Sequence, residues 1–532
     1  MTVWSLLLTL LPIAVILIML LVFKKAADVS GIVGLIAVSL VAYFFFSTSF
    51  EVIARSTLAG LIRSFSVSLI VAASLLQMAY MEKTGALKRI IIFIKTIASD
   101  NRAVQIMMVN IGFGTLMVAV GATPVSLLPP ILIAMGYSTY VAIALPAIGY
   151  DSLCTYALLG APIVVFVDIA NNFLGPGNEI TLSQAGMVFN MFLPVVSTLI
   201  GFCMLWIVGR WQGIKEGWLP CLITGAVIGV TAYFTNRYDN LVVLTGVLAG
   251  LAVIAAMTIY LKLGGHKVID KSKLTPEELA YEKEYPLWKA LTPWILLIVM
   301  ILALNLPKDV FNYLYRTMKL PVMGLTADGK PLDTRLLWQA YTWIFVSIIV
   351  SMPFLRPSGA QLKETLQVWL KRAPRPVFAA AIFFSIGEVM NMAGYSMQAH
   401  DFATASMVKV LADYSASFFQ QGYGAVVGFI GLFGGFITGS EASAIAMFGK
   451  YALSTAKNLG LPTQGLITIA AGLAFGAGLA SVISPAKLQN AAASIDKIGE
   501  ESKVIRIAFV FSLLLTVVTS IFVICLLKAE GL

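Results

Sequence analysis

Apolar residues in this chain come in runs of about twenty, separated by short polar connections. A helix rising ~1.5 Å per residue crosses the ~30 Å of bilayer hydrocarbon in such a run. Twelve runs read as spans, at about residues 4–23, 30–48, 65–82, 137–165, 183–208, 218–235, 241–262, 291–305, 337–355, 376–396, 462–484 and 507–528. Two further apolar segments, 103–136 and 421–457, do not fit as simple spans, because small and polar residues break each in the middle. The first run lacks a basic start and is followed by Lys24 and Lys25 instead of a small-residue cleavage site. It reads as a retained span, not a secretory signal.

Composition supports the pattern. The chain is 59% hydrophobic and 12% charged, with a mean hydropathy of +0.90, whereas a soluble domain carries roughly a quarter charged residues. The lipid bilayer is therefore its solvent, and the fold class is an all-α polytopic membrane protein. The net charge of +10 does not point to nucleic acid, because Lys and Arg sit between apolar runs and not on one face. They cluster at Lys24–Lys25, Lys83–Arg102, Arg210–Lys215, His266–Lys273, Arg356–Arg375 and Lys487–Arg506. Basic clusters mark cytoplasmic loops. The alternation closes only if both broken segments return to the face they leave. They are then re-entrant hairpins, the first opening to the cytoplasm and the second to the outside, with both termini outside the inner membrane. The 306–336 connection, with Lys308, Arg316, Lys319 and Lys330, fits least well. The four cysteines lie in apolar runs and read as small buried hydrophobes; two histidines in polar connections offer no metal or catalytic set.

The halves resemble each other. Each carries a hairpin with a glycine tip, "VGATPVS" or "ITGSEAS", and then a span interrupted by small residues, "GYDSLCTYALLGAP" or "FGAGLASVISP". Equivalent elements in opposite orientation are the mark of an inverted repeat, which places substrate at the midplane between tips and broken helices. The repeats are residues 1–217 and 291–532, joined by spans and a cytoplasmic loop at 218–290.

Carboxylates at membrane depth are costly unless partnered or hydrated. Asp151 is either an ion site or a helix cap after the break. Glu441, at the start of a returning half-helix, is either a cap at the positive dipole end or a coupling acid. Glu388 either lines the cavity or pairs with a cation. Lys450 either reaches a ligand or snorkels outward, and Lys487 either neutralises an anion or flanks the eleventh span. Half-helix N-termini converging on one space suit a small oxyanion. Candidate ligand-binding positions are Gly121, Ala122, Thr123, Ser126 and Ser152 in the first half. In the second half they are Asn391, Thr438, Gly439, Ser440, Ser443, Ser484 and Lys487.

The second hairpin and the segment after it resemble the bacterial lactate permease family. The pattern comprises Thr438, Gly439, Ser440 and Glu441, then Ile483, Ser484 and Pro485, then Gly499, Glu500, Glu501 and Ser502. "KTGALKRII" and "GAPIVV" in the first half resemble it too. The resemblance implies symport of 2-hydroxy monocarboxylates such as lactate or glycolate with protons, no cofactor, and an elevator-type fold. In the first hairpin, "VAVGATPVS" lacks the family's Glu and Phe. Asp151–Ser152 stand where it has Asn-Thr, and Lys487 follows Ile-Ser-Pro instead of preceding it. A carrier coupled to H⁺ or Na⁺, with Asp151, Glu441 and Glu388 as coupling acids, is the resulting expectation, and a homodimer through a static scaffold is compatible with it. Dicarboxylate or sulfonate transport is the alternative. A membrane enzyme lacks a nucleotide loop or catalytic domain here, and a channel would need a continuous polar path.

Overall fold

Helices fill every apolar run in the computed structural model, which describes residues 3–98, 100–122, 124–481, 483–497 and 499–531. The N-terminal group is α1 (Val3–Leu21), α2 (Ala27–Phe45), α3 (Phe50–Arg63), α4 (Phe65–Lys83) and α5 (Ala86–Lys95). The first hairpin has one arm of α6 (Arg102–Ile106), a π-helical stretch (Met107–Phe113) and α7 (Gly114–Ala119), and a second arm, α8 (Pro124–Ala134). A broken span comes next: α9 (Thr139–Gly149), a tight 3₁₀ segment (Tyr150–Tyr156) and α10 (Ala157–Leu174).

Two expected spans, 183–208 and 218–235, lie in one 55-residue helix, α11 (Leu182–Asn236), broken at Arg210 with φ 51° and ψ −138°. Thr181 and Gln184 cap its start reciprocally, satisfying two orphan N–H groups. Then come α12 (Thr245–Leu263), α13 (Pro276–Glu284), α14 (Leu287–Asn305) and α15 (Lys308–Phe311). α16 (Ala340–Leu355), α17 (Gly359–Arg372), α18 (Pro374–Met392) and α19 (Met407–Phe419) lead to the second hairpin, α20 (Tyr423–Thr438) and α21 (Glu441–Asn458). α22 (Thr463–Ser481) and α23 (Pro485–Ala493) form the second broken span, and α24 (Glu501–Ala529) ends the chain. Among the described residues, eleven helices are long and apolar enough to cross a membrane, or twelve if the pair α17–α18, bent by 41°, counts as one. Two short antiparallel pairs, β1 (Pro321–Val322) with β2 (Leu332–Asp333) and β3 (Tyr395–Ser396) with β4 (Asp401–Phe402), stiffen the connections.

Contacts between connections sort them into two faces. On one, Gln361 donates to the Lys83 carbonyl (3.0 Å), Arg89 binds Glu282 (2.9 Å), and Ile97 bridges to Ile269. On the other, Arg55 donates to the Gly324 carbonyl (2.7 Å), Arg316 binds Asp239 (2.6 Å), and Thr404 donates to the Phe46 carbonyl (3.1 Å). Contacts tie the two ends of each hairpin to neighbouring connections and helices. Tyr137 donates to Gln105 (2.9 Å) and Gln105 to the Ile97 carbonyl (2.9 Å), holding both ends of the first hairpin on the first face. In the second, Tyr423 at the start of α20 meets Tyr451, midway along α21, edge-on, and Asn458 at the end of α21 donates to Asp413 of α19 at 2.7 Å. Lys457 lies over Phe173 at the far end of α10.

α20 and α22 pack backbone to backbone. A methyl on Gly476 would overlap the Gly428 carbonyl, and one on Gly435 the Ala477 carbonyl. Small residues permit this approach, and dispersion between the two backbones holds helices that lipid cannot drive together.

Candidate functional site

The second hairpin turns at Gly439, whose φ of +67° suits glycine and whose N–H bonds the Gly435 carbonyl at 2.9 Å. The Thr438 hydroxyl sits 2.9 Å from the Gly434 carbonyl and 2.8 Å from that of Ser440. Ser440 caps α21, its Oγ accepting from the Ser443 N–H at 3.4 Å. Glu441 is therefore the first helical residue, with the cap already filled. Its carboxylate crosses to the first-half break, where Oε1 accepts the Thr155 hydroxyl at 2.8 Å. Oε2 is buried without a hydrogen-bond partner. Gly478 on α22 leaves the space it occupies: a Cβ there would come 2.8 Å from Oε2.

The break holding Thr155 is strained. Leu158 and Leu159 both take left-handed conformations, with φ of 52° and 54°. Such residues cost about 1–3 kcal/mol each and persist where the surroundings over-determine them. Asp151 on the same segment is only 5% exposed, Glu441 only 3%. The Asp151 Oδ1 lacks a hydrogen-bond partner. Cys154 lies within hydrogen-bonding reach of both carboxylates, and Lys487 on α23 within electrostatic reach of all three groups. From this point α10 and α21 run side by side: Thr155 meets Glu441, Ile169 meets Gly449, and Phe173 lies under Lys457. Their N-terminal, positive dipole ends thus start together beside the two acids. No group of three or more His, Cys, Asp and Glu among the described residues has a metal-binding arrangement.

Asp151, Glu441 and Lys487 come together, joining the two breaks to the second tip, and Ser484 lies against Gly439. The Thr438 and Ser440 hydroxyls are occupied within the tip, while the buried Ser443 Oγ has no partner. Ser152 turns away: its hydroxyl bonds the Gly149 carbonyl (3.1 Å) and its carbonyl accepts from Ser197 (3.1 Å). Gly121 packs on Ser74 of α4, and the Ala122 N–H bonds the Met117 carbonyl at 2.7 Å. Thr123 and the Ser126 side chain lie outside the described residues. Glu388 and Asn391 are not part of the cluster. They line a separate cavity, where Glu388 stands 3.7 Å from the Arg63 guanidinium. Lys450 joins them there.

The reading of Cys154 as a plain hydrophobe needs correction, since its thiol faces two carboxylates. Thr155 is a second residue that sequence reasoning misses. Cys154 and Thr155 follow Asp151 by three and four residues, close enough in sequence to be considered with it, but the kink at Leu153 decides where they point.

The sequence profile of the L-lactate permease family matches residues 5–529. The chain belongs to that family. Within it, the chain is 24% identical to the glycolate permease GlcA of Escherichia coli (strain K12), over 97% of this chain and 94% of that one. It is also 24% identical to the L-lactate permease of Bacillus subtilis (strain 168), over 80% and 78%. Among solved structures it is similar to the YdaH transporter of Alcanivorax borkumensis, with a TM-score of 0.46 at 13% identity, over 89% and 88%. As a lactate permease-family member, the protein is a multi-pass membrane transporter and not an enzyme.

Proposed function

We propose that this permease carries a short 2-hydroxy monocarboxylate, such as lactate or glycolate, together with H⁺ across a bacterial inner membrane. The observation that carries the coupling is the charge of the buried cluster: two carboxylates, Asp151 and Glu441, against one lysine, Lys487. With both acids ionised the cluster holds an excess negative charge, and a second anion is repelled. One proton on either acid removes the excess, so proton and anion load together. The convergent helix starts of α10 and α21 supply positive dipole ends for the substrate carboxylate.

The same reading extends to the architecture. Residues 1–217 and 291–532 are inverted repeats joined by 218–290, and the basic face is cytoplasmic. Two hairpins, each followed by a broken span, support it. The hairpins and broken spans travel as one elevator body against the remaining helices. The glycine seam between α20 and α22 favours a single body.

The test is uptake of labelled lactate and glycolate by proteoliposomes. An imposed pH gradient should drive accumulation, and a Na⁺ gradient at equal pH should not. Glu441→Gln with Asp151→Asn should reduce accumulation to the level of empty liposomes. Full gradient-driven uptake in that double variant overturns the coupling assignment, and Na⁺-driven uptake overturns the choice of ion.

A further inference from the structure

The cavity lined by Arg63, Glu388, Asn391 and Lys450 has a volume of about 150 Å³, room for a small organic anion with water. It lies on the α10–α21 seam, beyond the acidic cluster: Asp168 and Asn172 on α10 and Ala446 and Lys450 on α21 line it. Lys450 stands nine residues after Glu441 on one helix, ~13 Å of rise along a common groove. The cavity therefore continues the path that starts at Glu441, toward the face carrying the 306–336 connection.

Its charges pair off unevenly. Arg335 grips Asp168 with both distances under 3 Å, at 2.8 and 2.9 Å, and stands 3.9 Å from Asp333. Lys330 holds Asp328 at 3.4 Å, and Lys319 holds Asp333 at 3.1 Å. Glu388 faces Arg63 at 3.7 Å, too long for a hydrogen bond, and the Arg63 Nε is buried without an acceptor. The half-buried Lys450 has no ion pair or hydrogen bond among the described residues. The lining carries four cations and four carboxylates; Arg63, Lys450 and Glu388 form the loose set, with no ion pair closer than 3.7 Å, while each of the others has a partner within 3.4 Å. Beside these cations, the buried Asn391 Oδ1 has no donor.

Two cations held only loosely by Glu388, and one amide oxygen without a donor, in one cavity match one chemistry: a carboxylate bearing a neighbouring hydroxyl, which competes with Glu388 for Arg63 and Lys450. We infer that this cavity is a second substrate station, in which Lys450 and Arg63 donate to the carboxylate of a 2-hydroxy acid and Asn391 accepts its hydroxyl proton. A buried donor or acceptor left unmade costs more than a bond gains, so the ligand resolves all three defects at once. The substrate class rests on the proposed function; the station itself rests on the cavity.

The test uses purified full-length permease in nanodiscs, with Cys525, an exposed thiol, changed to Ala. Ser66→Cys, on the cavity wall, is labelled with a maleimide with and without L-lactate. Lactate should slow labelling, and should still do so in Glu441→Gln with Asp151→Asn, where gradient-driven accumulation is lost. Lys450→Met should remove the protection and raise the apparent KM for uptake roughly tenfold, as expected for a lost charge-assisted hydrogen bond. Lys450→Arg should restore both. Propionate, which lacks the hydroxyl, should protect less than lactate in the parent and equally in Asn391→Leu. Protection that survives Lys450→Met, or that disappears in Glu441→Gln with Asp151→Asn, overturns the inference. Lactate transport without protection also overturns it and leaves the transport reading standing. Protection without transport does the reverse.

Discussion

Glu441 and Asp151 could be named from the sequence because a carboxylate inside an apolar run has no cheap explanation. Their geometry could not. Whether Glu441 caps its own helix or reaches elsewhere depends on Thr155, 286 residues away, and no local spacing encodes such a partner. Ser440 takes the cap, and that frees Glu441 for the site. Glu278, in the connection on the basic face, shows the opposite case, an acid whose partners are partly local. It closes a capping box with Thr275 and binds Lys95 of α5. Burial alone would raise its pKa, but the bonds from Lys95 and Thr275 outweigh burial and hold it below its ordinary 4.5. A depressed carboxyl stabilises the fold above its unfolded pKa, and that stability is lost as pH falls through the folded value. Hydrogen exchange in α13 should therefore show full protection above pH 4.5, falling progressively at more acidic pH. Glu278→Gln should flatten that dependence, and an unchanged profile in the variant would refute the assignment.

Long apolar helices declare themselves by length: each of the twelve expected spans coincides with a helix, but Ala340–Leu355 is short for a crossing, and Arg102–Ala119 and Met407–Thr438, expected within or leading into hairpins, are as long and apolar as spans. The elements that the pattern hides are those without about twenty apolar residues. α3 carries Glu51, Arg55 and Arg63 within 14 residues, and α13 has no fully buried residue. The strand pairs are two residues each, too short for any periodicity to show. Breaks are visible as runs of small residues, but the glycine seam is not. Gly476 looks like any other small residue in "AGLAFGAGLAS", and only the packed partner makes it necessary. Gly476→Ala should lower stability by about 1–3 kcal/mol, the usual cost of overpacking, because the obstacle is the Gly428 backbone and no side chain can move aside. A thermal-unfolding midpoint equal to the parent's would show that the seam tolerates a methyl.

At the scale of the molecule, alternating basic clusters imply two faces, and the contacts between connections sort into the same two sets. The 306–336 connection, basic yet on the face opposite Lys83, Arg89 and Ile97, binds acids there: Arg316 to Asp239 and Arg335 to Asp168. Its charge serves a partner surface and not an orientation rule. If the other basic loops are cytoplasmic, an impermeant thiol reagent on intact cells should label Met323→Cys and spare Ser272→Cys. The reverse pattern would invert the orientation. The contact between Thr155 and Glu441 also bears on how the protein is made. Asp151 and its strained segment emerge from the ribosome long before the lysine and glutamate that complete their surroundings. Through most of synthesis the first half holds a carboxylate at membrane depth with no counter-charge, a state costing several kcal/mol. Completion of this site is therefore a late event of synthesis, because Glu441 and Lys487 follow Asp151 by 290 and 336 residues.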